Sequence, residues 1–427
     1  MITSMICQGL FMFILAAGSF YFTTAKRRTD WYCVAFASAA IYFLPGILGE
    51  TSIPGETLPV SDLCYFVMSL VMGSLWCSAI MYDLRMKANQ AAMPAASTAS
   101  TSAVSENYFA LTATLLQSLG CLYAIQVSGT ALLSQSKHEM AQTFTQFHLL
   151  WLMGAPTAFI VSVFYRRYLL SLINFVSMLG ILFIGSRTQL AIGVIGAITI
   201  LLARRGVHPI IRHKKTCMTV VAFVCFVFLY KQCYIALKAG DIEGASTRLS
   251  ERWADAFLSS EPVAIQHILN VVVLDDYRLP AYEYISRSFL AQVSGAYTSK
   301  EASFGDIATY DIFGDLGYGM ASNIWAEMYA YGGLVGVGIF LLIYNGMIRF
   351  SQVSYRHDLL QIFFACFMPW WCFYIHRNDI YRMLSFSKQL IAFLVVMAVM
   401  SLFVRLVYLI YFGKTHSVRM TPAAMPR

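Results

Sequence analysis

The stretch Tyr168–Ala203, YLLSLINFVSMLGILFIGSRTQLAIGVIGAITILLA, decides the fold because it is almost wholly apolar and yet too long for one membrane crossing. As a single helix it would extend for about 54 Å, whereas the hydrocarbon core of a bilayer is about 30 Å thick. Gly185 and Ser186 lie at its centre, and both residue types favour tight turns. The stretch therefore predicts two membrane helices joined by a short turn, with Arg187 at the membrane surface.

The rest of the chain has the same apolar character. Hydrophobic residues form 58% of the 427 residues and charged residues only 12%, against about a quarter in soluble domains. Mean hydropathy is +0.63. We predict an all-α polytopic integral membrane protein with about 11 (about 10–12) transmembrane helices. The predicted spans are 2–22, 32–49, 62–82, 108–127, 146–164, 168–185, 188–203, 216–236, 323–345, 359–375 and 388–412.

Charge predicts the orientation. Short segments on alternate sides of the spans carry most of the lysine and arginine, and such segments are cytoplasmic in membrane proteins. They are Lys26–Arg28, Arg85 with Lys87, Arg166-Arg167, Arg204–Lys215, Arg349 with Arg356, and Lys414–Arg427. The polar stretch from Lys238 to Ser322, which holds more than half of the 22 acidic residues, then lies outside the cytoplasm. The N-terminus is predicted outside and the C-terminus in the cytoplasm.

The chain divides into four predicted regions. They are an N-terminal bundle of about eight helices over 1–236 with a cytoplasmic linker at 83–107, a large extracytoplasmic loop over 237–322, about three helices over 323–412, and a cytoplasmic tail over 413–427. Within the loop, apolar spacing predicts a helix at Ser246–Ser260, and a second possible helix follows Pro280 at Tyr282–Gln292. Asp306–Gly319 is rich in glycine and aspartate and predicts irregular structure. Gly332-Gly333 is typical of close helix packing.

Several classes of function are disfavoured. The ten cysteines lie mostly in apolar runs, so no disulfide framework or CxxC metal site is predicted. Nucleotide-binding and HExxH motifs do not occur. The formal charge of +8 fits cytoplasmic loops better than nucleic-acid binding, because no basic run contains interleaved aromatic residues. We therefore predict no metal, no cofactor and no nucleic-acid partner.

Five arginines on the predicted outer face are candidate ligands for a diphosphate. They are Arg187, Arg278, Arg287, Arg377 and Arg382. Charged groups at membrane level are costly, and a guanidinium makes bidentate hydrogen bonds to phosphate oxygens. The alternative is that these arginines pair with loop acids or extend toward the headgroups.

Three further residues are candidate catalytic groups. His376 and Asp379 lie in the connection before the last span, and either side chain could accept the proton of a sugar hydroxyl. Glu327 lies about one turn inside the ninth span, where it could act as a base, although pairing with an outer arginine is the favoured interpretation.

The chain resembles the oligosaccharide repeat-unit polymerases, the Wzy family, in three patches. They are the turn Ile184-Gly-Ser-Arg-Thr-Gln-Leu-Ala, the segment Ser322-Asn-Ile-Trp-Ala-Glu-Met-Tyr-Ala-Tyr-Gly-Gly-Leu-Val-Gly, and the connection from Arg377 to Arg382. One large outer loop late in the chain is a further similarity. The resemblance implies the GT-C-like architecture of polymerases and ligases.

This resemblance also implies an enzyme, a membrane glycosyltransferase of the bacterial inner membrane with its large loop in the periplasm. It would polymerise undecaprenyl-diphosphate-linked repeat units into an O-antigen-like lipopolysaccharide chain by inverting, metal-independent transfer. Arg187, Arg377 and Arg382 would hold the donor diphosphate, Arg278 and Arg287 would assist, and His376 or Asp379 would be the base. A chain-length regulator and a flippase are the protein partners that it suggests.

Two other functions stay open. An O-antigen ligase has a similar plan but usually a clearer histidine in its large loop, where this chain has only His267. A non-catalytic flippase or transporter would predict paired repeats and charges at the membrane midplane. The charges here lie near the outer interface, which favours the enzyme.

Overall fold

The computed structural model describes residues 2–416 except 28, 54, 91–102, 134–142, 144, 146, scattered positions between 205 and 239, 248–249, 251–260, 315–321 and 354–357. The elements of the N-terminal part are α1 (Ile2–Thr24), α2 (Trp31–Tyr42), α3 (Pro45–Leu48), β1 (Glu50–Ile53), β2 (Glu56–Pro59), α4 (Asp62–Gln90), α5 (Ala103–Ser128), α6 (His148–Leu152), α7 (Gly154–Phe164), α8 (Tyr168–Phe183) and α9 (Thr188–Arg204). Those that follow are α10 (Glu261–Leu274), α11 (Ala281–Val293), α12 (Ser299–Ala302), α13 (Phe304–Phe313), α14 (Ile324–Val353), α15 (Asp358–Phe373) and α16 (Ile380–His416).

The described chain is mainly helical, and six of its helices are long and apolar enough to cross a membrane. Their spans are Met5–Thr24, Asp62–Met86, Tyr108–Ser128, Ile324–Gln352, Leu359–Arg377 and Ile380–Val407. Shorter apolar helices are Trp31–Tyr42, His148–Phe164, Tyr168–Phe183, Thr188–Arg204 and Glu261–Leu274. This composition agrees with the prediction of an all-α membrane protein, while the count of 11 spans stays a prediction.

The long apolar stretch breaks into two helices, as its length predicts. α8 ends at Phe183 and α9 begins at Thr188. Gly185 has a φ of 99°, which glycine tolerates best. Its amide donates to the Leu182 carbonyl (2.9 Å), and the Ser186 amide donates to the Ile181 carbonyl (3.1 Å). This is the hydrogen-bonding pattern of a Schellman motif, in which a glycine after the helix end satisfies the last carbonyl groups.

Buried polar side chains join α5, α7 and α8. The amide nitrogen of Asn174 donates to the Thr114 hydroxyl and to the Ser162 hydroxyl, each at 3.0 Å. Gln117 donates to the Asn174 side-chain oxygen at 3.0 Å. Such interhelical hydrogen bonds hold apolar helices in one register in a bilayer.

Two elements were not predicted from the sequence, and two local predictions need correction. The 49–61 connection forms a two-stranded antiparallel hairpin that pairs Glu50 with Pro59, and Asn270 of α10 donates to the Pro59 carbonyl and to the Thr51 hydroxyl of this hairpin. α10 was not predicted as a helix. The predicted linker 83–107 is shorter, since α4 continues to residue 90 and α5 begins at residue 103, and residues 91–102 lie outside the described part. α13 occupies 304–313, where irregular structure was predicted.

The other predicted loop helices have separate outcomes. The helix at Tyr282–Gln292 is confirmed as α11. The predicted helix at Ser246–Ser260 lies mostly outside the described residues.

Candidate functional site

Arg187 and Arg377 meet at one carboxylate, that of Glu261. An Nη2 atom of Arg187 lies 3.4 Å from Glu261 Oε2, and Nη1 of Arg377 lies 2.5 Å from Glu261 Oε1. The three side chains are 19% to 25% exposed, so the cluster can be reached from outside the protein. We call Arg187, Glu261 and Arg377 the arginine cluster, and the end of the bundle where it lies the site end.

Three separate segments position the arginine cluster. The Schellman turn presents Arg187 just before α9. Glu261 is the first residue of α10, where a carboxylate interacts favourably with the helix dipole. Arg377 ends the 3₁₀ turn Tyr374–Arg377 after α15, and its guanidinium lies 4.8 Å from the centroid of the Tyr374 ring.

His376 lies behind the arginine cluster and is fully buried. The Trp325 indole donates to its Nδ1 atom at 3.0 Å, and its ring stacks on Tyr42 at a centroid distance of 5.5 Å. Indole nitrogen is a donor only, so Nδ1 is the acceptor and the neutral ring carries its proton on Nε2. No lone pair of this tautomer remains for a substrate proton. These contacts fit a positioning role for His376 better than that of a base.

Asp379 lies between the N-termini of two helices. Its Oδ1 accepts from the Arg382 amide (2.9 Å) at the start of α16. Its Oδ2 accepts from the Ser303 hydroxyl (2.6 Å) and the Gly305 amide (3.0 Å) at the start of α13. A buried carboxylate that satisfies two helix starts is a structural anchor. This anchor explains why the segment after Ser303 is helical despite its composition.

Glu327 does not pair with an arginine in the described structure, so the favoured interpretation of this residue is wrong. It is fully buried. Its Oε2 accepts from the Ile380 amide (2.8 Å), and its Oε1 accepts from the Tyr331 hydroxyl (2.9 Å). Glu327 thus ties α14 to the beginning of α16, one residue after Asp379.

The other three predicted arginines pair with acids of the loop. Arg382 lies 3.0 Å from Asp306 Oδ1. Arg287 pairs with Glu283 within α11. Arg278 lies 2.5 Å from Asp276. The structure therefore brings Arg187 and Arg377 to one carboxylate. Arg278 and Arg287 form ion pairs with acids of the loop instead. Arg382 forms a separate ion pair with Asp306.

Arg278 also caps a break in α14. Gly332 and Gly333 have non-helical backbone angles, with φ of 60° and ψ of −147° at Gly333. The Tyr329 carbonyl, one turn before Gly333, accepts from Arg278 Nη1 at 2.6 Å. The Leu279 amide similarly donates to the Ala330 carbonyl at 3.0 Å. The two glycines therefore make a kink, where close packing alone was predicted.

His267 is fully buried, and its ring joins α10 to the β1–β2 hairpin. Its Nδ1 lies 3.2 Å from the Thr51 hydroxyl, and its Nε2 lies 3.5 Å from Glu56. Burial lowers the pKa of His267 below its usual value, and the negative charge of Glu56 offsets part of this effect. These contacts give the loop histidine a structural role between α10 and the hairpin.

Sequence reasoning missed Glu261 and Asp306, the acids that meet the arginines. Glu261 precedes Pro262 and an apolar run, a sequence that is typical of a helix start. That signal could have placed its carboxylate at a helix N-terminus. Asp306 had no comparable signal, because its helix depends on the distant Asp379.

Among the described residues, no three His, Cys, Asp or Glu side chains are grouped as metal ligands would be. No family model, curated protein or solved structure matches this chain. Functional interpretation therefore depends on the geometry of these residues and on the sequence motifs.

Proposed function

We propose that this chain is an oligosaccharide repeat-unit polymerase, a glycosyltransferase that extends a glycan carried on undecaprenyl diphosphate at the periplasmic face of a bacterial inner membrane. The observation that carries the proposal is the convergence of Arg187 and Arg377 on Glu261 in a partly exposed cluster. Two guanidinium groups that already share one anion are suited to hold the two phosphates of a diphosphate.

In this proposal the donor diphosphate displaces Glu261 from the arginine cluster. A hydroxyl of the acceptor glycan then forms a bond to the donor's anomeric carbon, while the bond from that carbon to the diphosphate oxygen breaks. The bonding electrons leave with undecaprenyl diphosphate, whose growing negative charge Arg187 and Arg377 stabilise. The transfer inverts the anomeric configuration and needs no metal, because the arginines supply the positive charge.

Asp306 is our proposed acceptor for the hydroxyl proton. Its side chain is 24% exposed, and Oδ1 faces Arg382, which belongs to the same connection as Arg377. Carboxylates can accept protons from attacking hydroxyls. His376, Asp379 and Glu327, being buried and hydrogen-bonded, position this connection instead.

The decisive experiment is gene deletion followed by gel analysis of the surface polysaccharide. Loss of a polymerase should leave single repeat units attached to the core, whereas loss of a ligase should leave none attached. A flippase defect would prevent repeat units from reaching the outer face.

Variants then test the arginine cluster. Arg187→Ala and Arg377→Ala should lower polymer formation by about 100-fold or more, as is found when a charge-stabilising donor is removed. The lysine variants should recover only part of the polymer formation, because lysine lacks the planar guanidinium group that makes two parallel hydrogen bonds. Lys300→Ala, at an exposed basic residue of the large loop, is the control. Full chain length in both alanine variants, at normal protein levels, would contradict diphosphate binding by the arginine cluster.

Asp306→Asn tests the proposed base. It should lower polymer formation by about 100-fold, within the usual range for general base catalysis. Asp311→Asn is the matched control, since Asp311 lies on the same helix and accepts a hydrogen bond from Tyr277 instead. Equal activity of the two variants would exclude Asp306 as the base.

A further inference from the structure

A cavity of about 220 Å³ lies between α4 and α14, far from the arginine cluster. α4 begins next to the site end, where the Ser61 amide donates to Asn270 of α10. Arg85 follows about 35 Å farther along the α4 helix. Arg349 lies at the corresponding end of α14. The cavity therefore opens at the end of the bundle opposite to the site end.

Two arginines and two tyrosines give this cavity its polar character. Arg85, Arg349, Tyr32 and Tyr82 line it. Both arginines are exposed, and neither has an ion pair with any residue that the structure describes. Two unpaired guanidinium groups beside a cavity favour an anion with several oxygen acceptors, such as a phosphate.

Asp83 and Asp30, two acids at this end of the bundle, pair with Arg27 instead of with Arg85 or Arg349. Asp83 contacts Arg27 Nε at 3.0 Å and accepts from the Tyr21 hydroxyl at 2.5 Å. Asp30 lies 2.7 Å from Arg27, and burial raises the pKa of Asp30 to about 6 despite this cation. By formal charge, Arg27, Arg85 and Arg349 against Asp30 and Asp83 leave one positive charge among these five side chains.

The apolar part of the lining indicates where the anion comes from. Met81 and Leu342 line the cavity and are 56% and 77% exposed. On helices of membrane-spanning length, such side chains face lipid tails. A free phosphate has no apolar part to contact this rim. A phospholipid carries a phosphate for the arginines and acyl chains for the apolar side chains.

We propose that this cavity binds the headgroup phosphate of an anionic phospholipid from the leaflet at that end of the bundle. Arg85 and Arg349 hold the phosphate oxygens, and the acyl chains lie along α4 and α14. Basic pockets between membrane helices are known to bind anionic lipid headgroups. The site is independent of the proposed glycosyl transfer.

The test measures phosphatidylglycerol retained by the detergent-purified protein, by native mass spectrometry. Arg85→Gln and Arg349→Gln should each lower retention about fivefold, and the double variant about 25-fold. Arg405→Gln is the matched control, because Arg405 is an exposed arginine of α16 that does not line the cavity. It should retain as much lipid as the unmodified protein.

A second pair of variants fills the cavity and leaves the arginines intact. Gly346 lines the cavity, and a Cβ atom built there meets no other atom within 4 Å. Gly346→Leu should therefore lower phosphatidylglycerol retention. Gly338→Leu, at an equally open position of α14 outside the cavity, should not.

Three results would overturn the proposal. One is unchanged phosphatidylglycerol retention in both the double arginine variant and Gly346→Leu. Another is that the unmodified protein retains zwitterionic phosphatidylcholine as well as it retains phosphatidylglycerol. The third is complete displacement of the lipid by millimolar inorganic phosphate, which would identify a site for a free anion.

Discussion

At the scale of single residues, Glu261 has two consequences for the arginine cluster. Its carboxylate neutralises part of the positive charge of Arg187 and Arg377, which would otherwise repel each other. It also occupies the position that our proposal assigns to the donor diphosphate. An anionic ligand must therefore displace Glu261 and compensate for the lost ion pairs.

Glu261→Gln should reveal this competition. Glutamine keeps the size and an acceptor oxygen but removes the charge, so we expect a loss of about 1–3 kcal/mol in the free energy of unfolding. Inorganic diphosphate should then raise the melting temperature of the variant more than that of the unmodified protein, because no carboxylate competes. Thermal melts with and without diphosphate in detergent measure both effects.

The control for that experiment is Glu283→Gln, which removes a carboxylate from Arg287 on the loop surface. It should leave the response to diphosphate unchanged. If diphosphate stabilised Glu261→Gln no more than the unmodified protein, Glu261 would not occupy the anion position.

At the scale of elements, the local sequence predicted those helix boundaries that depend on segment length and turn residues. The break between α8 and α9 followed from an apolar stretch too long for one crossing, and Gly185 supplied the turn. α11 begins directly after Pro280, where the sequence predicted a second loop helix. α13 was not predicted, because its first turn is stabilised by the side chain of Asp379, which is distant in sequence. The convergence of Arg187 and Arg377 on Glu261 was not predicted either, because no local sequence pattern encodes it.

The kink in α14 is the element that a single substitution tests best. At Gly333 the backbone angles are almost restricted to glycine, and a Cβ atom would lie 3.0 Å from Arg278 Nη1. Gly333→Ala should lower the free energy of unfolding by about 1–3 kcal/mol. Gly338→Ala should cause no loss, since this position is helical, open and better suited to alanine. Chemical denaturation in detergent compares the two. Equal stability would show that the kink does not need glycine.

At the scale of the whole molecule, the two ends of the bundle carry different charge arrangements. The site end has arginines paired with loop acids, as for Arg382 with Asp306 and Arg377 with Glu261. The opposite end has exposed, unpaired Arg85 and Arg349 among the described residues. Unbalanced cations of short connections remain in the cytoplasm during insertion. Paired charges on a long loop oppose translocation less, so the site end should face the periplasm.

Cysteine labelling tests this orientation directly. Tyr282 is 89% exposed on α11 at the site end, and Lys26 is exposed at the opposite end. A membrane-impermeant maleimide should label Tyr282→Cys in cells whose inner membrane is intact. It should label Lys26→Cys only after that membrane is opened, because the connection after α1 is predicted to lie in the cytoplasm. The unmodified chain, which has free cysteines of its own, gives the background. The reverse pattern would place the arginine cluster in the cytoplasm, where a periplasmic polymerase could not work.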